Sequence, residues 1–215
     1  MSDEAERQQA ALRAFVRAGE HHRRLYGQEW GDPTRSPMLT AVLARFLTPF
    51  LAPTATVLEI GTGGGRWTRE MVGRAGRLIL VDAVPEFESA VREQLPDIEA
   101  TFLVSPDGRL PGVESAVADL AFSFDTFVHF GPALFDRYVE TVGRVLRPGG
   151  HFALHHARAH AECASGAGCF QYREEAEVDG LLVRCGLRPV DALALPHGFG
   201  SRVVMARKVA SGSTP

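Results

Sequence analysis

The spacing of apolar and polar positions divides the chain into helical and extended stretches in a regular order. Over residues 3–27, Leu12, Phe15, Val16 and Gly19 fall on one helical face while Arg7, Arg13, Arg17 and Glu20 point elsewhere. A turn at Trp30-Gly31-Asp32-Pro33 follows, and a second helix is predicted from Pro37 to Phe50 with Leu39, Val42, Leu43, Phe46 and Leu47 as its stripe. Short apolar runs then alternate with helical ones: strands at 55–60, 77–81, 99–104 and 117–124, and helices at 66–74 and 85–95. From Ala133 to Leu146 a helix carries Leu134, Phe135, Tyr138, Val142 and Val145. Arg147-Pro148-Gly149-Gly150 ends it, since proline and paired glycines do not extend a helix. A strand at 151–157, a helix at 173–185 and strands at 188–195 and 201–208 complete the order. The last two strands are joined only by Pro196 to Gly200, and so short a connection forces antiparallel pairing.

Strands that alternate with helices predict an α/β fold. The expectation is a Rossmann-like, seven-stranded, mostly parallel sheet with an antiparallel last strand and helices on both faces. Residues 1–50 would form an N-terminal helical cap, 51–209 the Rossmann-like core, and 210–215 a disordered tail. At 215 residues and 45% hydrophobic, one domain with a full core accounts for the chain. A net charge of -3 supplies no broad basic field, so nucleic acid is a poor partner and a small-molecule substrate the better one. No apolar run approaches the ~20 residues of a membrane span. Asp3, Glu4 and Glu6 stand where a signal peptide is positively charged, and Cys163, Cys169 and Cys185 leave one thiol over in any pairing. These features point to a cytoplasmic protein with reduced cysteines and no membrane association; oligomeric state is left open, a homodimer included.

The most informative segment is Val57-Leu58-Glu59-Ile60-Gly61-Thr62-Gly63-Gly64-Gly65-Arg66-Trp67-Thr68, an apolar strand entering a glycine-packed turn. Twenty-one positions after Gly61 a second apolar run, Leu78-Ile79-Leu80-Val81, ends in Asp82, the arrangement of a βαβ unit with a carboxylate placed for ribose hydroxyls. The dinucleotide fingerprint wants a third glycine where Arg66 stands, and no Lys follows to grip a triphosphate. The E-x-G-x-G spacing with a second strand ending in Asp resembles motifs I and II of the class I S-adenosylmethionine-dependent methyltransferases. The resemblance runs from about Thr56 to Lys208 and includes the antiparallel seventh strand. It implies S-adenosylmethionine as cofactor, with its methionine end near Glu59 and Gly61, its ribose diol on Asp82, and its adenine near Asp107. Since this cofactor carries no phosphate, the glycines would serve close backbone approach. Thr62, Gly63, Trp67, Ala83, Gly108 and Phe124 complete the candidate cofactor set. The competing readings are a tight turn for the glycines, a helix cap for Asp82 and a turn former for Asp107.

Candidate chemistry lies at the carboxyl ends of the fourth and fifth strands, where open α/β sheets bind ligands. Phe122-Ser123-Phe124-Asp125-Thr126-Phe127-Val128-His129-Phe130 is similar to a segment of methyltransferases acting on sugars and natural products, with R-P-G-G downstream. The fifth strand ends His155-His156-Ala157-Arg158, where that group commonly reads H-H-S-N. Methyl transfer to a hydroxyl needs an in-line approach and loss of a proton, and histidine, with a pKa of ~6.5, suits that step. His129, His155 and His156 are the candidate bases, with Asp125 orienting a base or the substrate. Only one of two adjacent strand residues faces a given side, and the sequence leaves open which. His151, His155, His156, His160, Cys163 and Cys169 crowd one stretch without C-x-x-C or H-E-x-x-H spacing, so no metal ligands are assigned. Residues 158–172 read as a loop over the substrate, with Phe170, Tyr172 and Arg173 as contacts or as loop packing. Tyr26, Trp30 and His21-His22-Arg23-Arg24 are read as lining a lid or as a solvated face. The predicted activity is O-methylation of a small polar acceptor. An N-methyltransferase, a non-catalytic cofactor-binding protein and a nicotinamide-dependent reductase are the alternatives.

Overall fold

The computed structural model describes residue 10 and residues 31–158, 170–196 and 200–210. Its strands are β1 Thr56–Ile60, β2 Arg77–Asp82, β3 Thr101–Val104, β4 Ala118–Ser123, β5 Leu146–Ala157, β6 Leu187–Leu195 and β7 Ser201–Lys208. They form one seven-stranded sheet in the order β3-β2-β1-β4-β5-β7-β6. The pairs β1–β2, β2–β3 and β4–β5 are parallel, while β7 runs antiparallel to both β5 and β6. That is the mixed sheet expected, with the last strand inserted antiparallel. Met1–Asp107 and Gly108–Pro215 form two compact units.

In the first unit the helical stretch begins at Pro37, where a missing N–H costs nothing. It runs as α1, Pro37–Val42, then widens to a π-turn over Leu43–Leu47 and tightens to a 3-10 turn over Thr48–Phe50, where Pro49 has no N–H to continue an α-ladder. Leu39, Val42, Phe46 and Leu47 of the predicted stripe are buried, while Leu43, where the π-turn begins, is half-buried. The helix expected at 66–74 is absent: only Thr68–Glu70 form a single 3-10 turn. Gly65 and Gly73 both hold left-handed backbone (φ 88° and 71°), and the few residues between them are too few to recover the cost of starting a helix. The strands β1 and β2 are buried almost throughout. Helix α2, Glu86–Gln94, buries Phe87, Ala90 and Val91.

In the second unit α3, Pro132–Val145, buries Phe135, Tyr138, Val139, Val142 and Val145. It stops before Arg147-Pro148-Gly149-Gly150 rather than at that sequence, since Leu146 is already extended (φ -70°, ψ 132°). The four residues make an irregularity in β5 instead, with Ala118 paired to Leu146 but Leu120 to His151. Helix α4, Glu175–Arg184, follows. At the sheet edge, Pro189 and a bulge between Pro189 and Asp191 interrupt β6, which blunts the edge against further strand pairing. Phe127 packs among the rings of Phe130, Phe135, Tyr138 and Phe152 at centroid distances of 4.9, 5.0, 5.8 and 5.9 Å. Burying a side chain of that size stabilises by roughly 1.5–3 kcal/mol, so the cluster is a strong anchor for the chain just beyond β4. Among the described residues no helix is long and apolar enough to cross a membrane.

Candidate active site

The first unit carries the glycine turn. Gly61, Gly63 and Gly65 have φ of 80°, 53° and 88°, conformations that a side chain would strain. The amides of Gly61 and Thr62 and the Thr62 hydroxyl all donate to the Val81 carbonyl, so the turn is tied to the end of β2. Glu59, on β1, is buried at 2% exposure and accepts a 2.6 Å hydrogen bond from the Thr68 hydroxyl. Burial pushes its carboxyl up to about 8 against that hydrogen bond; the charge of Asp82 adds to the rise and Arg66 opposes it. Asp82 Oδ2 accepts the Gly63 N–H at 3.1 Å, and Oδ1 accepts those of Ala83 at 2.7 Å and Val84 at 3.4 Å. Its carboxyl is pushed up to about 6 by burial, with these three amides pulling the other way.

Thr62, Asp82, Phe102, Leu103 and Val104 line a small depression of this unit, together with Val84 and Phe87. The wall is mostly apolar, with the carboxylates of Asp82 and Glu88 at its edge, a combination that suits a planar base joined to a sugar diol. Asp107 is half-buried and Gly108 is buried, its carbonyl accepting a 2.8 Å bond from the Thr141 hydroxyl. Trp67 is buried, with the Arg66 guanidinium 5.7 Å from its ring centroid. Sequence reasoning missed the buried Arg66 and the tie from Thr68 to Glu59. The only signal for them was position, directly after the glycines.

In the second unit, β4 ends in Ser123, and the chain turns at Asp125, whose φ of 57° is left-handed. Aspartate tolerates that region better than most residues, and strain of this kind recurs where a side chain is being aimed. The Asp125 amide donates to His155 Nδ1 at 3.1 Å, and the Asp125 carboxylate lies 3.2 Å from the same nitrogen. The imidazole is fully buried and stacks on Phe124, with centroids 4.2 Å apart and an interplanar angle of 11°. The two tautomers therefore have different partners. With the proton on Nε2, Nδ1 accepts the amide; with the proton on Nδ1, it faces the carboxylate and the buried Nε2 carries the lone pair.

His156 sits on the opposite face, as strand alternation requires. Its Nδ1 is 3.3 Å from the Ala157 carbonyl oxygen and its buried Nε2 has no hydrogen-bond partner. Burial pushes its pKa down to about 4, with Arg202 and His155 acting in the same sense and the Ala157 carbonyl and Glu175 against it. Around it runs a charge network that the sequence did not reveal: Arg202 donates to both oxygens of Asp179 at 3.0 and 3.2 Å, and Arg158 donates to Glu175 at 2.6 Å. His129 closes the 3-10 turn Phe127–His129 and stacks on Phe170 at 5.2 Å. Arg173 is engaged by Asp136 and lies over the Phe135 ring, so it docks on α3; Tyr172 is exposed at 42%. Of the four candidate catalytic residues, the structure brings Asp125 and His155 together. Tyr26, Trp30, the 21–24 run, His160, Cys163 and Cys169 lie outside the described residues. Among the described residues no three His, Cys, Asp or Glu are grouped to hold a metal ion.

Residues 57–150 match the family model described as a methyltransferase domain. In structure, the chain is similar to the Burkholderia thailandensis 1,6-didemethyltoxoflavin-N1-methyltransferase solved with 1,6-didemethyltoxoflavin and S-adenosylhomocysteine. The identity is 26%, with 94% of this chain and 88% of that one covered and a TM-score of 0.69. Residues 57–150, a little under half of the chain, thus carry a methyltransferase domain. The N-methyltransferase NodS of Bradyrhizobium japonicum, also solved with S-adenosylhomocysteine, shares the fold at a TM-score of 0.71 and 16% identity, over 94% of this chain and 98% of that one. An uncharacterised methyltransferase of Mycobacterium tuberculosis is 33% identical over 107 residues, which are 49% of this chain and 42% of that protein. The match thus spans less than half the length of the curated relative. S-adenosylmethionine is the cofactor of the methyltransferase domain, as the S-adenosylhomocysteine in the two solved relatives supports.

Proposed function

We propose that the protein transfers a methyl group from S-adenosylmethionine to a hydroxyl of a small polar acceptor, a sugar or another natural product, with help from a histidine. The observation that carries this reading is the Asp125–His155 pair. A neutral hydroxyl must shed its proton as the new bond forms. His155, with Nδ1–H on the Asp125 carboxylate, would take that proton at Nε2, and the carboxylate would stabilise the resulting imidazolium. The cofactor supplies, when bound, a methyl carbon made electrophilic by its sulfonium. Glu59, Gly61, Thr62, Gly63, Trp67, Asp82, Ala83, Asp107, Gly108 and Phe124 are the residues assigned to hold it. His129 and His156 are the alternative bases; His156, held neutral by burial, is the weaker of the two. Residues 1–50 serve as the cap, and the protein works in the cytoplasm on a small molecule.

A second reading, N-methylation, draws support from the Burkholderia relative, whose name places its methyl on a nitrogen. An amine needs little help with its proton, and the histidines would then orient the acceptor. Transfer of labelled methyl from S-adenosylmethionine to a panel of alcohols and amines, followed from pH 6 to 10 in the wild type and His155→Gln, tests both. Turnover of an alcohol that rises with pH to a plateau and collapses in the variant supports the base. A maximal rate indifferent to both overturns it in favour of the amine.

A further inference from the structure

The glycine turn of the first unit is built from the most permissive residue type, and the helix that would ordinarily brace its far end is reduced to the 3-10 turn Thr68–Glu70. Something else must hold the turn if backbone is to meet a ligand without a large ordering cost. The near end is tied to Val81 and Asp82. At the far end the Arg69 amide donates to the Gly65 carbonyl at 3.1 Å, and the Arg69 guanidinium reaches to Asp32 with Nη2 2.7 Å from Oδ1. Asp32 is itself immobilised: the same oxygen accepts the Thr34 amide at 2.8 Å and the Thr34 hydroxyl at 2.7 Å, and its carbonyl accepts the amides of Arg35 and Ser36. Both charged side chains are largely withdrawn from water, at 19% and 18% exposure. Arg69 Nε is also engaged, by Glu70 Oε1 at 3.1 Å, which fixes the plane of the guanidinium.

We infer that Asp32 and Arg69 are a positioning pair for the cofactor: their ion pair clasps the far end of the glycine turn and takes the place of the missing helix. Neither residue belongs to the motif, and the pair links positions 37 apart in the chain. The inference rests on the cofactor assignment and is independent of the acceptor.

Calorimetric titration with S-adenosylhomocysteine of the full chain, Asp32→Asn, Arg69→Met and the double variant tests it, alongside thermal unfolding and hydrogen exchange at the amides of residues 63–69. Each single change should weaken binding about 5- to 10-fold, the double should be no worse than either, and exchange at those amides should quicken. Arg69→Lys, which keeps the cation, should recover most of the affinity. Losses that multiply in the double variant, affinities within about twofold of wild type, or exchange that does not change would each overturn the clasp. Should the wild type itself fail to bind, the cofactor assignment falls, and the exchange measurement, which needs no ligand, still decides the clasp.

Discussion

In the first unit the turn and its carboxylates are secured largely through backbone groups: three amides on Asp82, two amides and a hydroxyl on the Val81 carbonyl, one hydroxyl on Glu59. In the second unit the candidate chemistry rests on side chains brought together across strands: an imidazole of β5 stacked on Phe124 and aimed at Asp125, above an aromatic cluster around Phe127. Backbone ties follow from turn geometry, which a local sequence motif dictates. Side-chain ties follow from which strands become neighbours and which face each residue takes. The first unit is therefore expected to govern affinity for the cofactor, and the second turnover.

The sharpest test of that division is His155→Gln. It should lower kcat about 10²- to 10⁴-fold while leaving the affinity for S-adenosylhomocysteine within about twofold, since it removes the base and leaves the glycine turn alone. A variant that loses affinity instead would erase the distinction. Next in size, Phe127→Ala should cost the fold about 3–5 kcal/mol, read by denaturant unfolding, because it empties the centre of the aromatic cluster. A loss under 1 kcal/mol would mean the cluster does not anchor the turn that carries His129.

Glu59→Gln sharpens the comparison from the other side. A carboxyl raised from its usual 4.5 to about 8 stays protonated in the fold while the unfolded chain ionises. Stability of the free protein must then fall as pH rises from 4.5 to 8 and level off above that window. Glutamine should abolish the slope, leaving the variant more stable than wild type at pH 8 by about 2–4 kcal/mol. His156→Gln has the opposite sign. An imidazole lowered from 6.5 to about 4 contributes stability that is present above pH 6.5 and lost as pH falls through 4. Acid unfolding curves of the variant should be shallower by about 2–3 kcal/mol over that range. Smallest, Asp82→Ala should weaken S-adenosylhomocysteine by about 1–3 kcal/mol, the usual worth of a charged hydrogen-bonding partner. An unchanged affinity would reduce Asp82 to a turn former, the role its bonds to the amides of Ala83 and Val84 also describe.

The strands of both units were legible because each is a short apolar run bounded by turn residues, and burial repeats the pattern that the residues announce. The helix at 66–74 was misread because its composition allows a helix, while the left-handed glycines on either side leave too little length for one. Arg147-Pro148-Gly149-Gly150 was read as the stop of α3, and the structure instead places it as an irregularity inside β5, one residue after Leu146 has turned extended.

Periodicity and spacing alone determined the class of fold, the antiparallel last strand and the glycine turn with its carboxylate, because each is set by contacts between residues close in the chain or by a short connection. Tertiary structure decided which histidine meets Asp125, that His156 lies on the other face within a charge network, and that Asp32 reaches Arg69. Those partners are 30, 46, 23 and 37 positions apart. No local pattern encodes a contact between side chains that only the folding of distant segments brings together.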